Sequence, residues 1–154
     1  MLIQSDIRGY FGNPSSVIAM HDEESGIIVI LRSMNMLEQR LDDTARICNI
    51  EGRNDVDMVF SEDDLEAGIS AFYDLYNAKL LDISRLEAVN PQGSIQLDGI
   101  KEKGRTYRID PAISNAKVAV LAIALWAQRQ RTITETLSFC SDLSSLMAGR
   151  FMRV

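Results

Sequence analysis

The chain has 154 residues, 46% of them hydrophobic and 25% charged, with a formal net charge of −6 and a sequence pI near 4.8. That length suits one domain with its own core, and that composition argues against wholesale disorder. No run reaches the ~18–20 apolar residues that span a bilayer, and MLIQSDIRGYF lacks the basic-then-apolar opening of a signal peptide, so a cytoplasmic protein without membrane attachment is expected.

In chain order, two apolar runs, SVIAM and IIVIL, flank HDEESG. A polar turn ending in Gly between such runs reads as a β-hairpin. The second run also continues at steps of three and four, through Ile27, Leu31, Met34, Leu37, Leu41, Ala45 and Cys48, which predicts a helix over roughly residues 30–48. Residues 16–30 are therefore open between a hairpin and a helical extension. EGRND reads as a turn and VDMVF as a short strand.

Ser61 with Asp64 three residues on has the form of a capping box, and Leu65, Ile69, Phe72, Tyr76, Leu80 and Ile83 share one helical face. A helix over 61–88 follows, continuous or broken near 81, and is stopped by Asn90-Pro91. SIQLDGIKEKGRTYRID reads as a hairpin over 95–109 turning at Asp98-Gly99 or within GIKEKG. Asp110-Pro111 then opens a helix, and Val118 to Ala127 carry no polar group except the Trp126 indole. A helix apolar on every side is buried in protein, so residues 111–130 are expected to form the centre of the core. Thr132 and Glu135 open a last helix with the stripe Ile133, Leu137, Cys140, Leu143 and Met147, ending near Gly149. The expected fold is one α+β domain over 1–154, mainly α, with three to four helices packed around the buried central helix at about 111–130 and one or two small β-hairpins.

Catalytic constellations are sparse. His21 is the single histidine and reads as a solvated turn residue beside Asp22, Glu23 and Glu24. Zinc needs clustered Cys and His, and here Cys48, Cys140 and His21 lie far apart, so both cysteines read as buried free thiols. Asp55 and Asp57 near Glu51 have the oxygen chemistry for Mg²⁺, but alternate acids on a short strand are more simply its wet face. Glycine-rich phosphate loops are missing, and GISAF lacks the second glycine of a nucleophile elbow. No catalytic residue, metal or cofactor is assigned, and the reading leans away from an enzyme.

Two features point to partners. Residues 1–90 hold 17 acidic and 7 basic side chains, whereas residues 91–154 hold 5 and 9. Such polarity steers association. In addition Met34, Met36, Met58, Met147 and Met152 supply adaptable apolar surface. The expected function is therefore a non-catalytic protein-interaction module of the cytoplasm (adaptor, chaperone, inhibitor or small oligomeric accessory protein) with a protein partner or self-association. The alternative is a nucleic-acid-binding protein using the basic hairpin, with Lys101, Lys103, Arg105 and Arg108 on phosphates and Tyr107 stacked on a base.

Overall fold

The structure is a computed structural model and describes residues 1–50, 52, 55–101 and 104–131. Its first strand, β1 (Leu2–Ile7), sets the plan of the molecule. Successive side chains of a strand point to opposite faces. Ile3, Ser5 and Ile7 therefore face one way and Gln4 and Asp6 the other, and all five are buried. Both faces of this sheet are consequently covered, by very different material.

Strands β2 (Ser15–His21), β3 (Ile28–Met34), β4 (Thr44–Cys48), β5 (Met58–Val59) and β6 (Leu81–Asp82) complete a six-stranded mixed sheet in the order β5-β4-β1-β2-β3-β6. β2 is antiparallel to β1 and β3, and the remaining pairings are parallel. The hairpin reading of SVIAM and IIVIL holds. The helix over 30–48 does not: those residues are β3, a strap over 35–43, and β4. Because β3 and β4 lie on opposite sides of the β1–β2 pair, the strap must cross the sheet, and it does so over the Gln4–Asp6 face.

The other face carries the apolar core. Ile3, Ile7, Val17, Ala19, Ile28, Ile30, Ala45 and Ile47 meet two helices there. The Ser61 N–H donates to Asp64 Oδ2 at 2.9 Å, a turn of 3-10 helix follows, and α1 (Leu65–Asn77) buries Ile69, Ala71, Phe72 and Leu75. The helix read over 61–88 stops eleven residues early, because Lys79 adopts φ +60° and the chain closes with Leu80 N–H on Leu75 O and Lys79 N–H on Tyr76 O. A lysine in the left-handed region leaves no compositional mark, and Leu80 and Ile83 prolong the helical spacing beyond the true end.

The second hairpin forms as β7 (Ile95–Lys101) and β8 (Gly104–Ile109), and Asp98-Gly99 is not its turn, because both residues lie within β7 and Lys101 pairs with Gly104. Helix α2 covers residues 115–131, and Ser114, not Asp110, stands before it, its Oγ accepting the Lys117 N–H at 3.3 Å. Residues 118–127 are all buried. They pack on a sheet rather than at the centre of a helical bundle, so the mainly-α expectation and the helical character it implied are overturned. α1 and α2 approach at Gly68, where an added Cβ would stand 3.0 Å from the Phe60 ring and 3.3 Å from Leu121 O. Cys48 is a buried free thiol. The expected helix from Thr132, with Cys140, Met147 and Met152, lies outside the described residues. Among the described residues, no helix is long and apolar enough to cross a membrane.

Candidate interaction surface

The loop RGYFGNP joins β1 to β2 at the carboxyl end of the parallel strands, and its conformation is held by side chains distant in sequence. Gly9 and Gly12 take φ of +90° and +85°, a region that costs other residues roughly 1–2 kcal/mol. Between them Phe11 is 64% exposed. An exposed phenylalanine on a loose loop would be ordinary, but this loop is not loose. Asn115, only 1% exposed at the start of α2, accepts the Tyr10 N–H on Oδ1 at 2.9 Å. Its Nδ2 donates toward the carbonyls of Phe11, Gly12 and Asn13 at 3.3, 3.2 and 2.9 Å. The Phe11 N–H donates to Ile113 O at 3.1 Å and the Asn115 N–H to Phe11 O at 3.2 Å. At the loop's base the Arg8 N–H donates to Asn49 Oδ1 at 3.2 Å, and Asn49 Nδ2 donates to Arg8 O. Burying an amide is unfavourable unless its bonds are made, and here every one is spent on this loop. Tyr10 packs half-buried against the core, and that burial, with the Glu62 carboxylate nearby, raises its phenol above the ordinary value.

The hairpin residues singled out from the sequence are brought together only in part. Lys101 and Arg105 fall on β7 and β8, Ile100 pairs with Arg105, and Lys103 lies outside the described residues. Arg108 is exposed, opposite Gln96. Tyr107 is half-buried and stacks on Tyr73 of α1, with centroids 5.8 Å apart and planes 18° apart. One face of that ring thus fastens the hairpin to the domain.

A cleft of about 560 Å³ opens at the opposite end of the sheet, lined by His21, Glu23, Glu24, Ile28, Leu75, Leu80, Trp126 and Arg131 among others. His21 ends β2 at the rim of this cleft rather than standing in a bare turn. Asp22 beside it accepts the Ser25 hydroxyl at 2.9 Å and the Glu24 N–H at 3.1 Å, and these bonds, the Ser25 one foremost, hold its carboxyl below the usual range.

Beneath the strap lies a buried polar cluster. Asp6 Oδ1 accepts the Ser16 hydroxyl at 2.6 Å, and Oδ2 accepts Arg46 Nε at 2.8 Å. Gln4 Nε2 adds bonds to Asp6 and to the strap carbonyls of Glu38 and Gln39, while Gln4 Oε1 accepts the Leu41 N–H at 3.1 Å. Arg46 Nη1 pairs with Asp55 at 2.7 Å, and Asp57 accepts the Arg46 N–H at 2.7 Å. Asp55 and Asp57, the acids weighed as Mg²⁺ ligands, are thus engaged with an arginine. Among the described residues, no three His, Cys, Asp or Glu side chains are grouped to hold a metal ion. Asp6 spends both oxygens on fixed donors, so the cluster works as a clamp on the strap.

Comparison of the chain with protein-family models, with curated proteins and with solved structures found no match. Sequence reasoning passed over Phe11 and Asn115. The signal was an aromatic pair between turn-forming Gly9 and the Gly12-Asn13-Pro14 run, which marks a shaped loop. Nothing local ties Asn115 to a loop a hundred residues upstream.

Proposed function

We propose that this chain is a non-catalytic protein-interaction module that docks through the loop 8–14 with Phe11 as its anchor. The observation that carries the reading is an apolar side chain 64% exposed on a backbone fixed by the fully buried Asn115. An aromatic held in place before contact loses little freedom on binding, which is how most interface energy comes to rest on a few rigid anchors. Compensation for an exposed ring is not needed if a partner covers it. The half-exposed or better Met36 and Leu97 are scattered singly and suggest no second anchor of this kind.

The test compares tagged full-length protein with its Phe11→Ala variant, recovered from the source cells after nuclease treatment. The wild-type chain is expected to retain a protein at fixed ratio. The variant should bind that protein at least about thirtyfold more weakly, the loss of a ~2 kcal/mol anchor, with its thermal unfolding unchanged. Equal retention by both proteins would remove Phe11 from the interface. Partners that vanish with nuclease would instead bring forward the hairpin 95–109 as a nucleic-acid contact.

A further inference from the structure

We infer that the cleft at the far end of the sheet binds a small, uncharged, largely apolar molecule whose one hydrogen-bond acceptor takes the indole N–H of Trp126. The cleft measures about 560 Å³, within the range of small-molecule sites. Its apolar lining comes from three parts of the fold: Ile28 at the start of β3, Leu75 of α1 with Leu80 just past it, and Trp126 and Ala127 of α2. Three of these residues are fastened to one another through the backbone, since Leu80 O accepts the Ile28 N–H and the Leu80 N–H donates to Leu75 O, both at 2.8 Å. The lining is thus formed before anything binds, which lowers the cost of ordering on association.

Trp126 supplies the polar element. It is the single tryptophan of the chain and only 5% exposed. Its N–H makes no hydrogen bond among the described residues, yet Ser5 Oγ is their only enclosed side-chain polar atom without a partner. The indole N–H is therefore not sealed in; it reaches solvent, and the cleft is the opening that Trp126 lines. A buried tryptophan usually finds a partner for this proton, and an acceptor on a ligand provides one. Charge at the rim is exposed and of both signs, Glu23 and Glu24 against Arg131, while the apolar lining carries none. An ion entering would exchange water for apolar walls, whereas an uncharged molecule gives up little. The site lies at the other end of the sheet from Phe11 and does not depend on the docking loop.

The experiment titrates the full-length chain with Prodan, a neutral naphthalene ketone whose absorption overlaps tryptophan emission, while Trp126 is excited. Saturable binding of one dye per chain is expected, with Trp126 emission quenched and dye emission rising. Leu80→Gln, which places an amide in the lining, should weaken binding at least about tenfold, and Phe11→Ala should leave it unchanged. Acetylnaphthalene should displace the dye about three- to tenfold more effectively than isopropenylnaphthalene, which has the same shape without the acceptor oxygen. Trp126→Phe, followed through dye emission alone, should erase that preference. No energy transfer from Trp126, binding untouched by Leu80→Gln, or binding lost in Phe11→Ala would overturn the cleft as the site. Tighter binding of the anionic dye anilinonaphthalenesulfonate would overturn the uncharged ligand, and equal displacement by the ketone and the hydrocarbon would overturn the role of the indole N–H.

Discussion

Ser5 and Ser16 are both wholly buried in the same sheet, on opposite faces, and their surroundings could hardly differ more. Ser5 faces the helices between Val17 and Ile47, and its Oγ has no hydrogen-bond partner among the described residues. Ser16 faces the strap, donates to Asp6 at 2.6 Å and accepts the Glu38 N–H at 3.0 Å. The helix face is held by area, through many apolar contacts that each contribute a little. The strap face is held by a few directional bonds that depend on one another. The first kind of layer should degrade gradually when mutated, and the second should fail at single atoms.

Removing the carboxylate from the strap face should break that contrast most forcefully. Asp6→Ala leaves Arg46, its side chain 8% exposed, beneath the strap with Asp55 alone among the described residues to pair with its guanidinium. Loss of one member of a buried pair costs ~3–5 kcal/mol, and the remaining Asp55 places this variant near ~3. Urea unfolding measures the drop, and hydrogen exchange should speed up first at the Leu41 amide, which Gln4 otherwise holds.

On the helix face the sharpest single change is Gly68→Ala. Helix propensity alone would favour alanine by about 1 kcal/mol. The added methyl, however, meets the buried Phe60 ring and the Leu121 carbonyl, and overpacking costs ~1–3 kcal/mol. A net loss of about 1 kcal/mol in thermal unfolding is expected. A gain would mean that the two helices separate more easily than their packing implies.

The serines themselves give the finest discrimination. Ser16→Ala strands the Glu38 N–H and leaves Asp6 Oδ1 with only the longer bond from Gln4 Nε2 among the described residues, and should cost about 1–3 kcal/mol. Ser5→Ala removes a hydroxyl that satisfies nothing and should fall within about 0.5 kcal/mol of the parent, on the stabilising side if anywhere. Equal losses for the two variants would erase the distinction between the faces.

Several elements are legible in the amino-acid sequence alone. The hairpin over SVIAM and IIVIL, the hairpin 95–109, the Ser61–Asp64 start of α1 and the burial of residues 118–127 all follow from local chemistry: a polar turn between apolar runs, a cap with its acid at the right step, an unbroken apolar stretch. The reading fails where two periodicities coincide. Ile27, Leu31, Met34, Leu37, Leu41 and Ala45 satisfy helical spacing, yet Ile28 and Ile30 are the buried pair and Leu31, Leu37 and Leu41 are only half-covered. A strand, a strap and a second strand laid end to end can imitate an amphipathic helix, because spacing records only which residues are apolar and not which neighbours they meet. The site is less legible still. The basic hairpin announces itself by charge, whereas Phe11 acquires its meaning only from Asn115.

By itself the sequence determined the local conformations and the fact that an apolar core would form, since capping, turn chemistry and side-chain hydrophobicity act over a few residues. Tertiary structure decided that the core is a sheet covered by helices, that Gln4, Asp6, Ser16 and Arg46 close into one cluster under a strap, and that α2 lends its first buried side chain to a loop more than a hundred positions earlier. Strand partners and the bonds of buried polar groups are chosen across the fold, where each donor must find an acceptor that water no longer supplies.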